Sequence, residues 1–128
     1  IQNVFVRGVS AAGSTVNQTL MSGVVNAASN GSVADVAFTG GDLATKYWII
    51  DSVNTASGNA DLSVEYAAAS GTADTAMLAV QNAGGKLGST NVTQTITTTA
   101  AAGDIEAVSL ATSGSNRVAI DGGSAGAS

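Results

Sequence analysis

The sequence predicts an all-β protein: a single-domain antiparallel β-sandwich or jelly roll of about seven to nine short strands. Three observations predict it. Apolar and polar residues alternate over short runs. Gly, Ser, Asn and Asp turn signals separate those runs at spacings of about 8–12 residues, as in sandwiches and barrels. Apolar stripes of helical period are hard to find. A closed barrel is the nearest alternative.

The first apolar-rich run, Ile1–Val9, meets the small polar spacer Ser10-Ala11-Ala12-Gly13-Ser14. Two readings stand for it: the domain's own first strand, or an assembly arm that adds to a neighbour's sheet edge. As an arm it offers Ile1, Val4, Phe5, Val6 and Val9 to a groove. Thr15–Val25 is the next expected strand, followed by Val33–Thr39 with Ala34, Val36 and Phe38 on one face and Asp35 on the other. Lys46–Val53 is apolar on both faces, Trp48 and Ile50 against Tyr47, Ile49 and Val53, which suits a central strand.

Asp61–Ala67 shows the clearest alternation, with Leu62, Val64 and Tyr66 opposed to Asp61, Ser63 and Glu65. Thr75–Asn82, the Thr-rich Asn91–Thr99, Ile105–Thr112 and Arg117–Asp121 complete the set. Turns are expected at Ser29-Asn30-Gly31, Gly40-Gly41-Asp42, Ser57-Gly58-Asn59, Ser70-Gly71, Gly84-Gly85, Gly103-Asp104 and Ser113-Gly114-Ser115. The Ala-rich pieces 67–69 and 100–102 are long enough for single helical turns but carry no amphipathic stripe. No internal repeat is visible. The organisation expected is therefore an arm or first strand with its spacer (1–14), a β domain (15–121) and a loose tail or linker (122–128).

Composition narrows the function. The 128 residues contain no His, Cys or Pro, and nine acids face four bases for a net charge of −5. Without His or Cys the usual nucleophile–base pairs and thiolate or imidazole metal sites are missing. Arg7, Lys46, Lys86 and Arg117 are scattered, so no basic stripe points to nucleic acid, and nothing favours an anionic membrane surface. No apolar run approaches the ~20 residues of a membrane-spanning helix. The chain opens on Ile1, which suggests a removed leader or a trimmed start. Charged side chains make up 10% of the chain, against about a quarter in ordinary soluble domains. Such a surface, rich in Ala, Ser and Thr, packs closely against copies of itself because few charges must be desolvated.

Each local motif has a plain structural explanation. Asp61 with Glu65, and Asp104 with Glu106, share strand faces and could form carboxylate pairs, but read as solubilising charge. Gly84-Gly85-Lys86-Leu87-Gly88-Ser89-Thr90 resembles a phosphate loop except that Leu87 stands where Ser or Thr is required, so a hairpin is expected. Gly40-Gly41-Asp42 and Asp121-Gly122-Gly123 lack the acids of a tight calcium site. Asn17, Asn30 and Asn91 open glycosylation sequons, at about the frequency the Ser/Thr content produces by chance. Tyr47, Trp48 and Tyr66 are candidate glycan contacts if exposed, although a single Trp is usually a core anchor.

In general composition the chain resembles bacterial fimbrial subunits and phage capsid-decoration proteins, which are likewise rich in Ala, Gly and Thr and poor in charge. The resemblance rests on no shared motif. The function expected is a non-enzymatic subunit of a repetitive assembly, without cofactor or metal. Its partners would be copies of itself in an extracellular filament, or a capsid lattice in a virion. A carbohydrate-binding or adhesin module is the third reading.

Overall fold

The computed structural model describes residues 2–52, 60–87 and 90–122. Their strands run in chain order as β1 (Asn3–Val6), β2 (Ser14–Asn17), β3 (Asn26–Asn30), β4 (Val36–Gly41), β5 (Lys46–Ile50) and β6 (Leu62–Tyr66). There follow β7 (Thr75–Gln81), β8 (Gly85–Leu87), β9 (Thr90–Val92), β10 (Gln94–Ala100), β11 (Ala107–Ser113) and β12 (Val118–Asp121). A single 3₁₀ turn, Gln18–Leu20, follows β2.

These strands do not form an antiparallel sandwich or jelly roll. One sheet has the order β1-β3-β5-β7-β11 and the other β12-β10-β6-β4-β2, and every pairing within them is parallel. The chain therefore alternates between two facing sheets, each circuit adding one strand to each. Five such coils make a two-sheet parallel β-solenoid. The sandwich expectation fails because alternating burial normally signals an antiparallel sheet with one wet face. Parallel neighbours usually need a helical crossover. Here the crossover is a strand of the opposite sheet, so no helix is required and each outer face stays accessible.

Register explains why no repeat shows in the sequence. Asn3, Asn26, Lys46, Met77 and Ser109 share one column, so successive coils differ by 23, 20, 31 and 32 residues. The longer circuits carry extra loop, including the antiparallel β8–β9 hairpin. Within the sequence motif at 84–90, β8 and β9 pair antiparallel as expected of a hairpin, while residues 88–89 lie outside the described residues.

One column of turns shows how local chemistry builds the coil. Asn30, Ile50, Gln81 and Ser113 are in register. The next residues, Gly31, Asp51, Asn82 and Gly114, all have left-handed backbones, with φ of 62°, 47°, 51° and 71°. Gly, Asn and Asp are the residue types that tolerate this region. Gly31 N–H then donates to Ile50 O at 2.8 Å, and Asp51 N–H to Gln81 O at 2.9 Å, carrying the inter-coil ladder around the corner. A single left-handed residue turns the chain into the opposite sheet. Two-residue hairpin turns would have returned it to its own.

Two expected turns take other forms. Gly40 and Gly41 end β4, and the register shifts between Phe38 and Gly41 as in a bulge. The Ala-rich pieces 67–69 and 101–102 form stacked loops, with Ala100 ending β10 and Ala69 N–H donating to Ala102 O at 2.8 Å. The Ser57-Gly58-Asn59 turn lies outside the described residues.

The core lies between the sheets. Val36, Leu62 and Ile96 form one buried column, Phe38 and Val64 the next, and Tyr47 and Leu78 face them from the other sheet. Phe38, Tyr47 and Tyr66 meet across the interior, with centroids 5.5 Å apart for Phe38–Tyr47 and 5.6 Å for the edge-on Tyr47–Tyr66 pair. Each such contact adds roughly 0.5–1.5 kcal/mol beyond burial. Trp48 is not the core anchor. It points outward, half-buried, from the central strand β5, where its Nε1–H donates to Asn26 Oδ1 at 3.0 Å and Lys46 Nζ sits 5.7 Å from its ring centroid.

Candidate functional site

The polar side chains that could carry chemistry are mostly engaged in holding coils together. Asp35 Oδ1 accepts from Asp61 N–H at 3.0 Å, and Asp61 Oδ1 accepts from Thr95 N–H at 2.8 Å. Each carboxylate extends the strand ladder by one rung at the entrance to the second sheet. Glu106 Oε2 similarly accepts from Asp74 N–H at 2.7 Å. Asp61–Glu65 and Asp104–Glu106 are thus partly structural, and among the described residues no three acids gather as metal ligands. No helix among those residues is long and apolar enough to cross a membrane.

A buried polar cluster ties the link between the first two coils (Gln18, Val24) to the start of the third (Thr45, Tyr47). Tyr47 hydroxyl donates to Gln18 Oε1 at 2.6 Å, Gln18 Nε2 donates to Thr45 Oγ1 at 3.0 Å, and Thr45 Oγ1 donates to Val24 O at 2.7 Å. The same tyrosine oxygen accepts from Asp42 N–H at 3.1 Å. Gly41 makes room for it: a Cβ there would lie 2.6 Å from the hydroxyl. Burial raises the pKa of Tyr47, and more strongly that of Tyr66, whose hydroxyl is buried without a hydrogen-bond partner. The hydrogen bonds of the cluster run between side chains and backbone of successive coils and tie them together.

The residues singled out from the sequence distribute as follows. Val4 and Val6 lie in β1 and pack half-buried against the core, and β1 pairs with β3 of its own sheet. Phe5 and Val9 are exposed, while Ile1 lies outside the described residues. Asn17 is exposed and accepts from Thr19 N–H, and Asn30 is exposed beside a buried Ser32. Asn91 lies in β9. Of the three candidate glycan contacts, Tyr47 and Tyr66 are fully buried and only Trp48 reaches the outer face. There it lines a groove of ≈ 210 Å³ with Phe5, Ile50 and the amides Asn3, Asn26 and Gln81.

A different set of residues stands out only in three dimensions. Among the described residues the exposed large apolar side chains are Phe5, Val9, Leu20, Val25, Leu110 and Ile120. The first four belong to the first coil and its link to the second, and the last two to the fifth coil. None lies in the three middle coils. Leu110 continues the column of Val4, Ala27, Tyr47 and Leu78, and Ile120 continues that of Val36, Leu62 and Ile96. Both face the core side yet are 38% and 37% exposed, since β11 and β12 are the last strands of the described stack.

The strand edges repeat this pattern. β1 and β2 each have one neighbour at one end of the stack, and β11 and β12 at the other. These end faces are the strongest candidate functional surface: strands with one described neighbour, beside half-exposed apolar side chains. Sequence reasoning named part of the first face through Val4, Phe5, Val6 and Val9. It missed Leu20, Val25, Leu110 and Ile120, whose only signal is coil position. Comparison with protein-family models, curated proteins and solved structures gave no match to this chain.

Proposed function

We propose that this chain is a non-enzymatic structural element of a repetitive assembly, a rod segment extended by further parallel coils at its end faces. The observation that supports it is that, among the described side chains, the exposed large apolar ones lie in the first coil, its link to the second, and the last coil. Solenoid repeats bury their apolar faces against neighbours, and those that end in solution carry polar caps. Open sheet edges are otherwise blunted by charge, proline or a covering element. This chain has no proline, and β1 and β2 carry no charged residue.

An extracellular filament built from copies of the chain is the preferred setting, with a virion lattice as the alternative. Both use the same end-face chemistry: backbone pairing at two edges and apolar contact between them. Negative-stain microscopy with sedimentation of the purified chain tests the reading. Concentration-dependent rods or oligomers lengthening along the coil axis are expected, each added coil contributing about 4.7–4.9 Å. A chain that stays monomeric at every concentration overturns it.

A glycan-binding reading keeps one specific support, the outward Trp48 beside Phe5 and three amides. A shift in Trp48 fluorescence on titration with soluble glycans would favour it over assembly.

A further inference from the structure

We infer that the groove at Trp48, on the outer face of the first sheet, takes a sugar ring of an acidic glycan, one that carries a carboxylate as uronic acids do. This rests on the glycan reading above rather than on assembly, and it names the class of sugar.

The aromatic platform is the first argument. Phe5, Ala28, Trp48, Ala79 and Ala111 occupy one outward column of the sheet. Trp48 therefore stands among alanines, with Phe5 two strands away and only the methyl of Ala28 between them in that column. Its indole is held in place: Nε1–H donates to Asn26 Oδ1 at 3.0 Å, and Asn26 Nδ2 donates to Asn3 Oδ1 at 3.0 Å. A ring already fixed loses little freedom when a ligand arrives. The C–H face of a pyranose stacks on the electron-rich face of such a ring.

Size and polarity select the occupant. At ≈ 210 Å³ the groove is smaller than the ~300 Å³ at which pockets for drug-sized molecules begin, so it suits a single ring. Beside its apolar residues it is lined by the amides Asn3, Asn26 and Gln81. An apolar molecule would strip water from those amides and return no hydrogen bond, whereas sugar hydroxyls both donate and accept.

Charge decides the kind of sugar. The five strands of this sheet contain one charged residue, Lys46, and no acid, in a chain with nine acids to four bases. The Lys46 Nζ lies 5.7 Å from the centre of the Trp48 ring. A carboxylate on a ring stacked at Trp48 meets that ammonium and no opposing acid from the strands of this sheet.

Tri-galacturonate and the uncharged galactose trimer test the inference, read by isothermal titration calorimetry and by the emission of Trp48, the chain's only tryptophan. The acidic trimer should bind roughly two- to fivefold more tightly, the range of one exposed ion pair, and added salt should narrow the gap. Lys46→Gln should abolish the preference and keep the neutral trimer's affinity, while Lys46→Arg restores it. Phe5→Ala, at an exposed position, should weaken both trimers up to about tenfold. Circular dichroism checks that each variant folds. Binding of neither trimer overturns both this inference and the glycan reading, and leaves assembly untouched. Equal binding of the two, or a preference that survives Lys46→Gln, overturns the acidic assignment alone. An emission shift that follows protein concentration without sugar marks Trp48 as a contact between copies and overturns the inference.

Discussion

Tyr47 and Tyr66 show how single residues tie burial to stability. They are the chain's only tyrosines, both fully buried, and desolvation raises the pKa of each above the ordinary phenol value. In the unfolded chain a tyrosine ionises near pH 10. The folded state holds its phenolic protons above that pH while the unfolded state releases them, so the unfolded state gains as pH rises. The stabilisation is complete below pH ~10 and is lost on going above it. Phenolate absorbance should therefore appear together with loss of the β-sheet circular dichroism signal, in one alkaline transition. Ionisation of either tyrosine at its normal pH, with the sheet signal intact, would contradict this account.

Individual loops matter at the next level, because neighbouring coils touch through backbone. Gly103 has φ +80°, and a Cβ there would lie 1.7 Å from Ala69 O in the coil before it. Gly23 has φ +72° with nothing within 4 Å. Replacing either by Ala forces a left-handed conformation on a residue with a Cβ, costing about 1–2 kcal/mol. Gly103→Ala adds displacement of the 67–69 loop, whose Ala69 N–H bonds Ala102 O. Urea unfolding should show Gly103→Ala losing clearly more stability than Gly23→Ala, and equal losses would mean that the loops do not bear on each other. The turn signals at 31, 71, 103 and 114 were readable from composition, since Gly tolerates the left-handed region. Their partners were not, because Ala69 and Gly103 are brought together only by the coil spacing.

Over the molecule, stability follows position in the stack. Middle coils have neighbours on both sides and the end coils on one, and in solenoids the interfaces between neighbours supply much of the stability. Amide hydrogen exchange on the monomeric chain should be slowest in β4, β5 and β6 and fastest in β1, β2, β11 and β12. Uniform protection would indicate a single cooperative unit. In the assembled wild type the terminal strands should become protected, since their edges are then paired.

Most strands were legible as strands. Leu62–Tyr66, Lys46–Ile50 and Thr75–Gln81 follow from alternation and β propensity, and the central position of Lys46–Ile50 follows from its two apolar faces. The all-β class and the antiparallel pairing of β8 with β9 follow likewise from nearest-neighbour chemistry along the chain. Alternation, however, records only that one face is buried. It is the same for parallel and antiparallel partners, and it says nothing of which strand lies alongside. Direction, coil number and the outward placement of Trp48 were set by contacts between residues 20 to 34 positions apart, through loops of unequal length. The exposure of Leu110 and Ile120 depends on those contacts too: both read as ordinary core residues until the stack places them in the last described coil.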